Sequence, residues 1–325
     1  MEYIEFYFLD YKYKVFTEKT LLSKIREFWK GFLIKEKEYK KFKEWEVLFI
    51  KDKKSSTKID YEKKVIEHRH NSICDLTEFN NLFREIIVKI SAMDGMVWLH
   101  CSAFMVKDKT ILVVGKKGYG KTTLLLNAIT NMGAEFIGND QIPLLIENND
   151  IYCYSWRPDV KVCTNRSKKS ECKLEKIFKT LYLVNNTIPY NFINFKSMSK
   201  RLGKQVIPPV NDLNIQCTEH KLNKVDYIFV LYNQKDITEL KNTSILEYII
   251  DDPETILQFK LRNLREYMPY WNKRIVDINV KKEAEEENSK IINLINNKCK
   301  TFLVGNRIEF SLVQEFINML IDKGR

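Results

Sequence analysis

Aromatic and charged residues alternate through the first part of the chain. Tyr3, Phe6 and Phe8, then Tyr11, Tyr13 and Val15, and later Trp45, Val47 and Phe49 read as strands, and the apolar positions from Leu21 to Trp29 read as a helix. The charged run Lys35 to Lys43 reads as a solvated helix or turn. Phe79, Leu82, Phe83, Ile86, Ile87 and Ile90 recur at helical spacing and predict a helix over about 77–92. Trp98 to Val106 reads as one strand, Lys107-Asp108-Lys109 as a turn, and Thr110 to Val114 as the returning strand of a hairpin. An apolar helix follows through Leu124, Leu125, Leu126, Ala128 and Ile129. Next come a strand from Glu135 to Asp140 and two more, Gln141 to Ile146 and Ile151 to Trp156, around a turn at 147–150.

Residues 157–224 are polar, basic and irregular, with Gly203-Lys204-Gln205 and Pro208-Pro209 as loop signals. Val225 to Tyr232 is a strong strand pattern. Beyond it the pattern predicts helices at Ile245–Ile250 and Pro253–Met268, a strand at Ile275–Ile278, a helix at Lys281–Asn297, a strand at Thr301–Val304 and a helix at Ser311–Asp322. No internal repeat interrupts this order.

One stretch carries chemistry. In Ile111-Leu-Val-Val-Gly115-Lys-Lys-Gly118-Tyr-Gly120-Lys121-Thr122-Thr123 an apolar strand runs into a glycine-rich loop, then Lys-Thr, then the apolar helix. That order is a phosphate-binding loop. Glycine lets successive backbone N–H groups turn inward around phosphate oxygens, and the helix start adds its own N–H groups and positive end. Lys121 would reach the terminal phosphates and Thr122 would ligate Mg2+ through its hydroxyl. The cofactor-binding set is therefore Gly115, Gly118, Tyr119, Gly120, Lys121, Thr122 and Thr123, with ATP and Mg2+ as cofactors. A glycine turn that binds nothing would leave Lys121-Thr122 at the helix start unexplained.

Composition narrows the class. With 325 residues and 44% hydrophobic content the chain is long enough for two domains and a sizeable core. Its seven cysteines are odd in number and none is paired as C-x-x-C, which disfavours a zinc site or disulfide framework and fits a reducing compartment. The first residues lack a signal-peptide layout and no apolar run approaches the roughly 20 residues of a membrane span, so the expected location is cytoplasmic, with no membrane partner. The net charge of +11 is concentrated in residues 151–224, which hold 14 Lys/Arg against 5 Asp/Glu. A basic surface there would attract an acidic peptide, a phosphorylated substrate or nucleic acid; a plain solvated face is the bland alternative.

Other candidates are weighed on their own residues. Asp140 ends the strand after the loop's helix, where a magnesium acid belongs, although a turn aspartate would look the same. His100 serves either as a hydrogen-bonding residue of the strand or in proton transfer. Lys116 and Lys117 lie in the loop, and Arg157, Arg201 and Lys204 are candidates for holding a phosphoryl group or an acidic acceptor. His68-Arg-His70 has no ligand set around it and reads as a polar loop. Asn233-Gln-Lys-Asp236 misplaces the lysine of a guanine-reading motif and reads as a strand-edge turn.

The order Leu99-His100-Cys101-Ser102-Ala103, phosphate loop, helix, then Gly133-Ala134-Glu135-Phe136-Ile137-Gly138-Asn139-Asp140 resembles the HPr kinase/phosphorylase superfamily, including related kinases of peptide-modification clusters. The likeness is good over about 97–146, loose at Val225–Tyr232 and at the Lys204–Pro209 patch, and absent from the first 96 residues. It implies an α/β fold with a P-loop core on a mixed, curved sheet related to that of phosphoenolpyruvate carboxykinase. Residues 97–325 would form this catalytic domain, and 1–96 an α+β extension that recognises a partner or substrate. It also implies a kinase that passes the γ-phosphoryl group of ATP to a hydroxyl acceptor, with Asp140, His100 and Lys121 as catalytic residues and Thr122 and Asp140 at the metal.

The chain departs from the family at Asn139, where the first of two adjacent acids stands. Asparagine cannot take a proton at neutral pH. Asp140 then serves alone, or His100 takes the proton, or catalysis is weak or lost. The acceptor would be Ser/Thr of a peptide or protein, an acidic one being favoured by the basic segment, or a small-molecule alcohol. A catalytically silent nucleotide-binding regulator is the second reading. A nucleic-acid enzyme is held lowest, because no aromatic recognition motif is present. A homo-oligomer is left open.

Overall fold

Period-two burial decides which strands form and which way they face. In the computed structural model, described here for residues 2–29, 42–71, 75–94, 96–116, 118–139, 141–155, 160–163, 204–207, 222–240 and 293–323, the described residues fall into two compact units, one up to Met96 and one from Val97.

The first unit holds strands β1 (Tyr3–Phe8) and β2 (Tyr11–Phe16), helix α1 (Lys19–Phe28), strands β3 (Lys43–Lys51), β4 (Ser56–Asp60) and β5 (Val65–His70), and helix α2 (Asp75–Met93). They build a mixed sheet in the order β1-β2-β3-β5-β4. β2, β3 and β5 run parallel, while the edge strands β1 and β4 run antiparallel to their neighbours. Every second residue is buried: Ile4, Phe6 and Phe8, then Tyr11, Tyr13 and Val15, then Trp45, Val47 and Phe49. Tyr3 is 47% exposed, and Ile4 takes the inward place. The amphipathic stripe of α2 supplies Phe79 and Phe83, whose rings lie 5.3 Å apart and meet Phe6 at 6.3 and 4.5 Å.

His68-Arg69-His70 is not a polar loop. It ends β5, and His68 and His70 occupy the inward positions after Ile66. The ring of Phe49 stacks on both, at 5.2 and 4.2 Å. A carboxylate only accepts, so His68 donates Nε2–H to Glu78 at 3.2 Å and its Nδ1 accepts the Thr57 hydroxyl at 2.8 Å. Two imidazoles become core residues because one face is apolar and the edges of His68 are satisfied.

The second unit holds β6 (Val97–Leu99), β7 (Ser102–Val106), β8 (Lys109–Gly115), α3 (Lys121–Met132), β9 (Glu135–Asn139), β10 (Ile142–Glu147), β11 (Asp150–Tyr154), β12 (Val160–Cys163), β13 (Lys204–Ile207), β14 (Leu222–Tyr232), β15 (Ile237–Leu240), β16 (Lys300–Gly305) and α4 (Phe310–Lys323). Its centre is a parallel trio, β8, β14 and β16, with β14 in the middle. β7 and β9 continue antiparallel beyond β8, and β15 lies antiparallel to β16. The first residues of β14 also carry β11, β10 and β6, so this one long strand serves two parts of the sheet. The result is a mixed α/β unit on a mixed sheet.

Alternation along the central strands separates two cores. Ile111, Val113, Phe229 and Leu231 pack with α3 and α4. Leu112, Val114, Ile228 and Val230 pack with Ile142, Leu144, Ile151 and Cys153 of β10 and β11, and with Ile295 of a helical turn at 293–298. Burial on both faces explains why these strands read as unbroken apolar runs.

Several expectations need correction. Trp98 to Val106 is two strands, because Cys101 donates its N–H to the Leu99 carbonyl at 3.1 Å and turns the chain. β6 then pairs with β10, while β7 pairs with β8 and β9. The stretch expected to be irregular contains the antiparallel pair β12–β13, which takes in Lys204 and Gln205. Asn233–Asp236 forms the turn into β15, as the sequence predicts, and β9 is described as far as Asn139. The expected elements at Ile245–Ile250, Pro253–Met268 and Ile275–Ile278, and most of the Lys281–Asn297 helix and the Lys35–Lys43 run, lie outside the described residues.

Candidate functional site

The glycine-rich loop sits where the parallel strands end. β8 stops at Gly115, opposite Leu231 of β14, and Tyr232 lies opposite Gly305 of β16. The carboxyl ends of parallel strands are where α/β sheets bind ligands, since the connections leave a crevice there. Gly115 has φ +146°, and a Cβ on it would meet the Leu231 carbonyl oxygen at 2.8 Å. Glycine is therefore required for β8 to turn away beside β14. Gly118 and Gly120 also have positive φ, 94° and 104°, and Gly120 caps α3. Strand, loop and helix thus follow the order that the sequence predicts.

Lys121 opens α3 and is only 8% exposed. Its ammonium donates to the Gly115 carbonyl at 2.6 Å and lies 3.4 Å from that of Lys116. The cation is thereby held across the loop by backbone oxygens. A phosphate anion in the loop would be a stronger partner for the ammonium than a neutral carbonyl. Thr123 accepts Asn127 Nδ2 on its carbonyl, within the helix, and Tyr119 packs against the α3 core.

The Thr122 hydroxyl donates to Asn139 Oδ1 at 3.1 Å, and the Ser102 hydroxyl donates to the same oxygen at 2.7 Å. Asn139 is 2% exposed at the end of β9. The residue beside Thr122 in the described structure is therefore Asn139, whereas Asp140, the expected metal ligand and base, lies outside the described residues with Lys117, Arg157 and Arg201. Ser102 belongs to the Leu99–Ala103 stretch but carried no role of its own in the sequence. Its signal was faint: it lies two residues after His100, and its register opposite Asn139 appears only once β7 pairs with β9.

His100 lies in the turn between β6 and β7 and is half-buried, not on a strand face. Next to it, burial pushes the Cys101 thiol far above its ordinary range, against the pull of the Lys121 ammonium. That rules against Cys101 as a thiolate nucleophile. Burial likewise pushes Cys153 up to about 12.

No group of three or more His, Cys, Asp or Glu side chains gathers as a metal site among the described residues. The donors at the loop are oxygens, which suit a hard cation bound mainly through one protein hydroxyl and phosphate. No described helix is long and apolar enough to cross a membrane.

No family model matches the chain, and no curated protein matches it. Among solved structures it is similar to that of the Hpr(Ser) kinase/phosphatase from Coxiella burnetii, with 14% identity over 44% of this chain and 76% of that one and a TM-score of 0.24. The likeness is distant, and an overlap at that score carries no argument about chemistry.

Proposed function

We propose that the second unit binds a nucleoside triphosphate with Mg2+ and acts as an ATP-dependent kinase toward a hydroxyl acceptor. The observation that carries this reading is the loop itself. A glycine turn at the end of a parallel strand leads into a helix whose first residue holds its ammonium over the loop and whose second aims its hydroxyl at a buried amide. In this reading the loop amides and the start of α3 take the phosphate oxygens, and Gly115, Gly118, Tyr119, Gly120 and Thr123 shape that cradle. Lys121 leaves the Gly115 carbonyl for the β- and γ-phosphates.

Thr122, with Asp140, would hold Mg2+. When bound, the cation neutralises charge on the phosphates. The acceptor oxygen bonds to the γ-phosphorus as the bond to the β,γ-bridging oxygen breaks, ADP leaves, and the acceptor's proton passes to Asp140 or His100. Asn139 is unable to take that proton.

The acceptor class extends the proposal. Ser/Thr of an acidic peptide fits the basic segment 151–224, and a small alcohol is the alternative. Residues 1–96 would be the recognition module, and a reducing cytoplasm suits the free thiols of Cys101, Cys153 and Cys299. Asn139 favours one second reading, a nucleotide-binding regulator without transfer. Incubation with γ-labelled ATP and candidate acceptors separates the two. A kinase gives a stable phosphoester that Lys121→Ala abolishes, whereas a regulator retains ATP and transfers nothing to any acceptor.

A further inference from the structure

The Ser102 hydroxyl has no role in the scheme above. Ser102 begins β7 directly opposite Asn139, and the two are 0% and 2% exposed. An amide oxygen has two lone pairs, and here Ser102 and Thr122 each donate to one, at 2.7 and 3.1 Å. The geometry has two consequences. Because Oδ1 only accepts, the Thr122 proton lies toward Asn139, and the lone pairs on the far side of the threonine oxygen meet an incoming cation. Because Ser102 donates to the same oxygen, it holds that oxygen in place beside Thr122. Turned over, the amide would present N–H to Thr122 and push that proton outward.

We infer that Ser102 is a positioning residue for the nucleotide's divalent cation, acting on Thr122 through Asn139. It touches neither nucleotide nor cation. The inference rests on the proposed magnesium-nucleotide reading.

The test is calorimetric titration of the full chain with ATP, once with Mg2+ and once with EDTA. It is run on the unmodified protein, Ser102→Ala, Ser102→Cys, Asn139→Ala and the Ser102→Ala/Asn139→Ala pair. The quantity read is the gain in affinity that Mg2+ brings. Ser102→Ala is expected to cut that gain about tenfold, the worth of one buried hydrogen bond, with metal-free affinity unchanged. Ser102→Cys keeps the volume with a weaker donor and should fall between. It carries the test if the alanine variant does not fold. The pair should lose no more than Asn139→Ala alone, since both act through one oxygen.

A full magnesium gain in Ser102→Ala overturns the inference and leaves the reading intact. An equal loss with and without Mg2+ overturns it too, because that would mark general damage to the loop. Losses that add in the pair do the same. An unmodified protein that takes up no ATP with Mg2+ removes both the reading and the inference.

Discussion

Lys121 keeps a charge in a nearly closed place by leaning on carbonyls at 2.6 and 3.4 Å. Its replacement by alanine removes a cation from that place together with its bonds to the loop carbonyls. Lys121→Ala is expected to shift the melting temperature of the ligand-free protein by only a few degrees, and to abolish the rise that Mg-ATP gives, measured by thermal unfolding with and without nucleotide.

Asn139 invites the opposite change. Asn139→Asp would bury a carboxylate between two hydroxyl donors. It should cost about 1–2 kcal/mol, a fall of several degrees in melting temperature measured by thermal unfolding. An unchanged melting temperature would show that the site accepts the charge without loss.

At the scale of elements, the β8–β14 pair sets the loop's direction. Gly115→Ala puts a methyl 2.8 Å from the Leu231 oxygen in a backbone conformation that side chains rarely adopt. It should cost about 1–3 kcal/mol by chemical denaturation and weaken nucleotide binding with it. In the first unit, Phe83 lies against Phe6, Tyr13, Trp29 and Phe79. Phe83→Ala should cost about 3–5 kcal/mol and leave no stable first unit, seen as loss of its near-ultraviolet dichroism.

The strands around this ring cluster were legible because apolar residues alternate cleanly. β5 was not, because two of its three inward residues are histidines, which read as polar until Thr57, Glu78 and Phe49 are placed around them. Nor was the break at Cys101 visible, because Trp98 to Val106 is apolar on both sides of it and the pairing partners are distant in sequence. The order of β8, glycine loop and α3 was legible, since its signals are local in sequence. The buried trio of Ser102, Thr122 and Asn139 was not, because only strand register brings it together.

Over the whole molecule, each unit carries its own core, and His68 gives the first a pH response. Burial holds His68 below its ordinary pKa of 6.5, outweighing the upward pull of Glu78. The unfolded chain therefore binds this proton more readily than the folded one. The stability tied to a neutral His68 is present above about pH 6.5 and is lost as pH falls through the lowered value. Melting curves from pH 8 to pH 5 should show the first unit losing stability, and His68→Gln should flatten that slope. An unchanged slope would assign the acid response to other groups.

Titration of the full-length protein with ATP in a calorimeter, with Mg2+ present and then with EDTA, tests the central claim most directly. Saturable one-to-one uptake that strengthens with Mg2+ and disappears in Lys121→Ala is the predicted result. Heat indistinguishable from dilution in both buffers, for ATP and for GTP, would contradict it.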